Sequence, residues 1–145
     1  MEIKSLYKNS MIEIGYAKLP PRYTQTSHSL SDTIFLFCES GHGIVTINFD
    51  RYPIRRGSFI SVFSDAYFEV NTLSDNARFR AIRLDDNLFG EVSFRLSAYF
   101  WDLWTDSPVL YLSIEQAALL QAWFINAEWM LSCADSDLKN FMLHN

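Results

Sequence analysis

Few side chains here are of a type that does chemistry, and their spacing brings almost none of them together. The three histidines, His28, His42 and His144, are scattered along the chain. A divalent metal needs several N, O or S donors converging on one point. His42 stands between two glycines and reads as solvated, and His144 lies at the last position but one. Cys38 and Cys133 are far apart and lack C-x-x-C spacing, so they read as free thiols in a reducing cytoplasm rather than as a disulfide or a metal pair. Asp85 and Asp86 follow a β-type run and read as a solvated helix start. No G-x-S-x-G elbow, phosphate loop or G-x-G-x-x-G is present. Gly41-His42-Gly43 reads as a hairpin turn, with no helix after it to hold a phosphate. The residues therefore indicate no catalytic group, no metal site and no cofactor, and the chain is read as non-enzymatic.

Binding chemistry is better represented. In Arg78-Phe79-Arg80-Ala81-Ile82-Arg83-Leu84, strand alternation sets Arg80 with Ile82 and Leu84, and Arg83 with Phe79 and Ala81. Whichever face turns inward carries an arginine. Inside an apolar cavity that arginine needs a bound carboxylate, phosphate or sugar. At a rim it snorkels to water or pairs with Asp or Glu instead. Phe35, Phe37, Phe59, Tyr67 and Phe68 are the aromatic candidates for a cavity wall, the alternative being plain core.

These residues sit in a region with a clear signature. From Thr33 to Leu84, five short runs rich in Ile, Val, Phe and Thr alternate with turn signals at 39–43, 50–53, 56–57, 64–65 and 74–77. Such punctuation predicts an antiparallel sandwich or barrel. Met11–Lys18 predicts an earlier strand, Pro20-Pro21 ends it, and a polar connection runs to Ser31. Gly41, Gly43 and Gly57 are expected in turns. At 145 residues and 49% hydrophobic, the chain is long and apolar enough for one domain with a real core. A net charge of −5 argues against nucleic-acid binding by this part of the molecule itself. The opening MEIKSLYKNS has no long apolar run, so neither a signal peptide nor a membrane span is read there.

After Asp85 the composition turns helical. Phe94–Thr105 predicts an aromatic helix, and Pro108 interrupts. Ser113-Ile-Glu-Gln116 has the form of a capping box opening a helix from Ile114 to about Ser132. That helix is apolar nearly all round, with Leu119, Trp123 and Met130 on one stripe and Trp129 on another. One barrel covers one side, so a second subunit is expected to cover the rest, making Leu119, Trp123, Trp129 and Met130 the expected homodimer interface. A last helix is expected from Asp137 to Asn145, and its uncapped end reads as a fragment of something longer.

The stretch IFLFCESGHGIVTINFDRYPIRRGSFISVFS resembles the barrel half of cupins: strand, E-x-G-x-G turn, strand, R-x-G-S, strand. The whole order (barrel, aromatic helix, proline, capped long helix) resembles the amino-terminal sensor and dimerisation domain of AraC-type transcription regulators. That resemblance implies a mainly β fold with α, a double-stranded β-helix barrel followed by helices. It divides the chain into an arm and barrel over 1–92 and a helical dimerisation segment over 93–145, packed on the barrel as one structural domain. It implies a small-molecule effector, a homodimer, and DNA contact only through a separate domain absent from these residues. It also implies an amino-terminal arm that lies across the ligand, which brings Arg22 and Tyr23 into consideration. Enzymatic members of the cupin group hold a metal with G-x5-H-x-H-x3/4-E-x6-G and G-x5-P-x-G-x2-H-x3-N. Aligned on Gly41 and Gly57, the glutamate position is Ile34 and the second motif's histidine position is Phe68. Of the first motif's two histidine positions, only His28 keeps its residue. The alternatives are a metal-dependent cupin enzyme with a non-standard site, or a stand-alone binding protein. Metal analysis and the sequence beyond Asn145 separate them.

Overall fold

The computed structural model describes residues 1–20, 24–25, 32–94 and 97–144. Two compact units are present, Met1–Leu112 and Ser113–Asn145. Among the described residues the first contains ten strands in two antiparallel sheets. One sheet runs in the order β1 (Glu2–Lys8), β2 (Ile12–Lys18), β9 (Arg78–Leu84), β4 (Thr33–Ser40), β7 (Ser58–Val62), β10 (Val109–Tyr111). The other runs β3 (Thr24–Gln25), β8 (Phe68–Leu73), β5 (His42–Ile47), β6 (Asp50–Arg55). Counting the strands from β2 to β9, the first sheet reads first, eighth, third, sixth, and the second reads second, seventh, fourth, fifth. This is the order of a double-stranded β-helix barrel, in which the chain passes repeatedly from one sheet to the other and the β5–β6 hairpin makes the turn between the two halves. The fold is therefore mainly β, with helices following the barrel along the chain. Among the described residues no helix is long and apolar enough to cross a membrane.

The crossing of sheets overturns one local expectation. Because β4 and β5 lie in different sheets, 41–43 is not a hairpin turn. Gly41, at φ +87°, carries the chain across, and Gly57, at φ +91°, turns it between β6 and β7. Gly43 lies within β5, opposite Ile54 and Leu73. It is glycine because a Cβ there would stand 2.2 Å from the Thr72 carbonyl oxygen. The hairpin turn lies further on, where Asn48 (φ 48°) and Phe49 (φ 75°) both adopt the left-handed conformation that a type I′ turn requires. Residues 50–53, expected as a turn, belong to β6. Pro53 is tolerated there because β6 is an edge strand and the missing N–H breaks no ladder bond.

The central strands of the sheet of six are buried on both faces. Toward the second sheet it presents Leu36, Cys38, Ile60, Phe79 and Ala81, which meet Val45, Ile54, Phe68 and Val70, none more than 3% exposed. On its opposite face Ile14, Phe35, Phe37 and Ile82 are also buried. Two helices supply part of the cover, α1 (Asp86–Phe94) and α2 (Ala98–Asp106). The Trp104 ring stacks on Phe35 at 5.5 Å and Phe89 lies at 6.3 Å from it. The Trp104 indole N–H donates to Ser61 Oγ at 2.9 Å, satisfying its one donor. Asp85 caps α1, its Oδ1 accepting the Leu88 N–H at 2.8 Å.

The second unit is α3, Ile114–His144. Its capping box is complete: the Gln116 N–H donates to Ser113 Oγ at 3.2 Å, and the Ser113 N–H to Gln116 Oε1 at 2.9 Å. The break expected near Asp135-Ser136 is absent. Both residues suit a helix start, but inside an established helix each costs only about 0.5 kcal/mol relative to alanine, too little to stop it.

Gly41→Ala is expected to destabilise the first unit by about 2 kcal/mol or more, since it adds left-handed strain and sets a Cβ 2.5 Å from Ala77 Cα. The urea midpoint measures this. Gly57→Ala, whose nearest contact is 3.2 Å, is expected to cost less.

Candidate functional site

Strand register decides which arginine faces inward. Arg83 pairs with Glu13 on β2 and Ile34 on β4, on the same face as Phe79 and Ala81. Its Nε donates to Glu13 Oε1 at 3.3 Å and its Nη1 to Asp32 Oδ2 at 3.0 Å. Glu13 also accepts from the Ser5 hydroxyl, and Lys8 Nζ lies 3.8 Å away. The three charged side chains at the centre of this network are mostly buried, at 16% (Arg83), 10% (Glu13) and 21% (Asp32) exposure. The Lys8 contact is solvated and contributes little. The network ties β1, β2, β4 and β9 together at one end of the barrel.

Arg80 lies on the opposite face of β9, between Tyr16 and Phe37. Its Nε donates to Glu39 Oε1, and Arg78 Nε stands 3.5 Å from Glu39 Oε2. Both guanidinium groups lie over the Tyr16 ring, at 4.9 and 4.2 Å. Phe35 and Phe59 stack on each other at 5.8 Å on this same face, under the aromatic helices. Phe68 is a fully buried interior residue. Tyr67 sits beside the β5–β6 turn, its N–H donating to Asn48 Oδ1 and its ring stacked on Phe49 at 5.6 Å. The hydrogen bond to the Glu69 carboxylate holds its phenol above the usual range. Arg22, Tyr23 and His28 lie outside the described residues. The proposed ligand residues thus divide among three surfaces. Glu13, Asp32, Glu39 and Trp104, which organise those surfaces, are not among the site residues that the sequence suggests. Their partners lie 41 to 70 residues away along the chain, and only strand register reveals such pairs.

Ile34 and Phe68, which the motif alignment on Gly41 and Gly57 sets at metal-ligand positions, belong to one buried apolar cluster. They offer a metal no donor atom. Among the described residues no group of three or more His, Cys, Asp and Glu side chains converges. Further along the interior, burial pushes the Cys38 thiol up to about 11, and its S–H donates to the Ser40 carbonyl. At this end of the barrel, away from Arg83, a cavity of about 250 Å³ opens between the end of β2 and the β8–β9 turn.

Strand order and interior together define a cupin-type barrel domain. No protein-family model matches the chain, and none of the curated proteins matches it in sequence. Similar solved structures include the cupin domain of Schizosaccharomyces pombe Cnp3, at 14% identity over 66% of this chain and 72% of that one, TM-score 0.49. The Clostridium difficile EutQ protein is 14% identical over 57% and 61%, TM-score 0.44. A Cupin 2 conserved barrel domain protein from Salinispora arenicola is 13% identical over 61% and 76%, TM-score 0.41. The fold assignment rests on the strand order rather than on likenesses of this degree.

Arg83→Met leaves Glu13 and Asp32 without their shared cation and is expected to cost about 2–3 kcal/mol, the low end for a buried pair because all three groups retain some solvent. Adding Glu13→Gln is expected to recover part of that loss, read as a coupling energy from urea denaturation. Iodoacetamide at pH 8 is expected to modify Cys133 and leave Cys38 unreacted until the protein unfolds, as scored by peptide mass. Because the folded thiol titrates above the unfolded one, the stability Cys38 contributes is fully present below pH 8.5 or so and is lost as pH rises toward 11.

Proposed function

We propose that this chain is the non-catalytic sensor and dimerisation module of an AraC-type transcription regulator. In this reading it binds a small-molecule effector in the barrel and pairs through α3, while a separate domain contacts DNA. The observation that carries this reading is α3. Leu119, Trp123, Trp129 and Met130 are 73%, 53%, 67% and 62% exposed on a helix that follows a barrel with apolar residues at its metal positions. Large apolar side chains left in water at this density mark an interaction face. Each contributes about 1.5–3 kcal/mol when fully buried, before the costs of association. Ile34 and Phe68 favour binding over metal chemistry. The apolar area available on α3 favours a self-pairing module over a monomeric binding protein.

Sedimentation at micromolar concentration is expected to give a dimer, and Trp123→Glu to shift it to monomer with the fold retained. A wild-type monomer whose mass and solubility are unchanged by Trp123→Glu would sink the dimer. Stoichiometric iron, manganese or zinc in the purified protein would favour an enzyme instead.

A further inference from the structure

The two ends of the barrel differ. At one, Arg83 is held by Glu13 and Asp32, and Ile34 and Phe68 fill the space behind. At the other lies the cavity of about 250 Å³ lined by Ala17, Lys18, Leu19, Leu73, Ser74, Asp75, Ala77 and Phe79. Phe79, 2% exposed, closes its floor against the core, and Ala17, Leu19, Leu73 and Ala77 pack on that core as an apolar wall. The 74–77 turn that forms the far wall is fixed in place. Ser74 Oγ accepts the His42 N–H at 2.9 Å, the Ser74 N–H donates to the His42 carbonyl at 2.9 Å, and Ser40 Oγ donates to the Asn76 carbonyl at 2.7 Å. Gly41 lets the backbones meet, since a Cβ there would stand 2.5 Å from Ala77 Cα. A rigid, apolar-floored recess at a barrel mouth is the common form of a preformed ligand site. Its lining includes one cation and one anion, Lys18 and Asp75, both exposed, and neither has an ion-pair partner among the described residues.

We infer that this mouth, and not the Arg83 end, receives the effector, and that the effector is a small zwitterion of the apolar α-amino-acid class. This deepens the sensor reading and rests on it. The apolar side chain enters against Phe79 and Leu73, the carboxylate meets Lys18, and the ammonium meets Asp75. A cavity below the usual range for drug-sized ligands suits a molecule with on the order of ten non-hydrogen atoms. Selectivity follows from the two charges. An acid without the amine leaves Asp75 unmatched, and an amine without the acid leaves Lys18 unmatched.

The test is amide NMR titration of the full chain with L-valine, L-leucine and L-phenylalanine, alongside 4-methylpentanoate and isoamylamine, which each lack one charge of leucine. Saturable shifts at Ala17, Leu19, Leu73, Ser74 and Ala77 are expected for at least one amino acid. Lys18→Ala and Asp75→Asn, both at exposed positions, are each expected to weaken it about tenfold, the loss of one charge-assisted contact. The proposal is overturned if none of the three amino acids shifts these amides, if the shifts centre on Glu13, Asp32 and Arg83, if either single-charge analogue binds as well as leucine, or if both substitutions leave affinity unchanged. Sedimentation of the Trp123→Glu variant reads the dimerisation part of the sensor reading separately, so the two can fail independently.

Discussion

The rest of the first unit depends on the burial of the central strands of its larger sheet on both sides. A strand such as β4, buried from Thr33 through Cys38, cannot lie against water on either side. The smaller sheet covers one face and closes the barrel. The other face needs separate cover, and the aromatic helices α1 and α2 provide part of it through Phe89 and Trp104. The smaller sheet is under no such demand. It leaves His42, Ile44, Arg51, Pro53 and Arg55 exposed on its outer face, as an antiparallel sheet with one buried side does.

Charge is placed where this packing tolerates it. Arg83, on the barrel face, and Arg80, on the opposite face, are each met by carboxylates from neighbouring strands. A ligand recruited by either guanidinium would have to replace a carboxylate already in contact. Desolvated groups matched in this way hold strands in register more readily than they act as open receptors. The cavity end differs: its wall is set by hydrogen bonds of Ser40, His42 and Ser74 and a glycine contact, and among the described residues Lys18 and Asp75 have no ion-pair partner at the rim.

The runs of Val, Ile, Phe and Thr between Thr33 and Leu84 make β4, β5, β7, β8 and β9 legible in sequence, because that signal is local, whereas β6 opens on the turn-like composition of 50–53 and is not. The capping box of Ser113 and Gln116 was legible for the same reason. Which face each strand residue occupies was not. Phe35 and Phe59 read equally well as cavity wall or as cover for the opposite face, and only the strand order separates the two. β1, with its polar EIKSLYK, and the three-residue β10 carry too little pattern to be seen without their partners β2 and β7. The sheet crossing at Gly41 has the composition of a hairpin, so composition misassigns it. The continuity of α3 through Asp135 and Ser136 reflects helix propagation, which overrides two residues that prefer caps.

Self-association through α3 is the central claim, and a distance across the dimer tests it most directly. Cys133 lies on α3 and is partly exposed, while Cys38 is buried. A nitroxide placed on Cys133 alone therefore gives one spin per chain without any substitution. Double electron–electron resonance on that sample should show a defined intermolecular distance at the modulation depth of a two-spin system. Trace with no intermolecular modulation, at concentrations where the chain stays folded and soluble, would contradict the account.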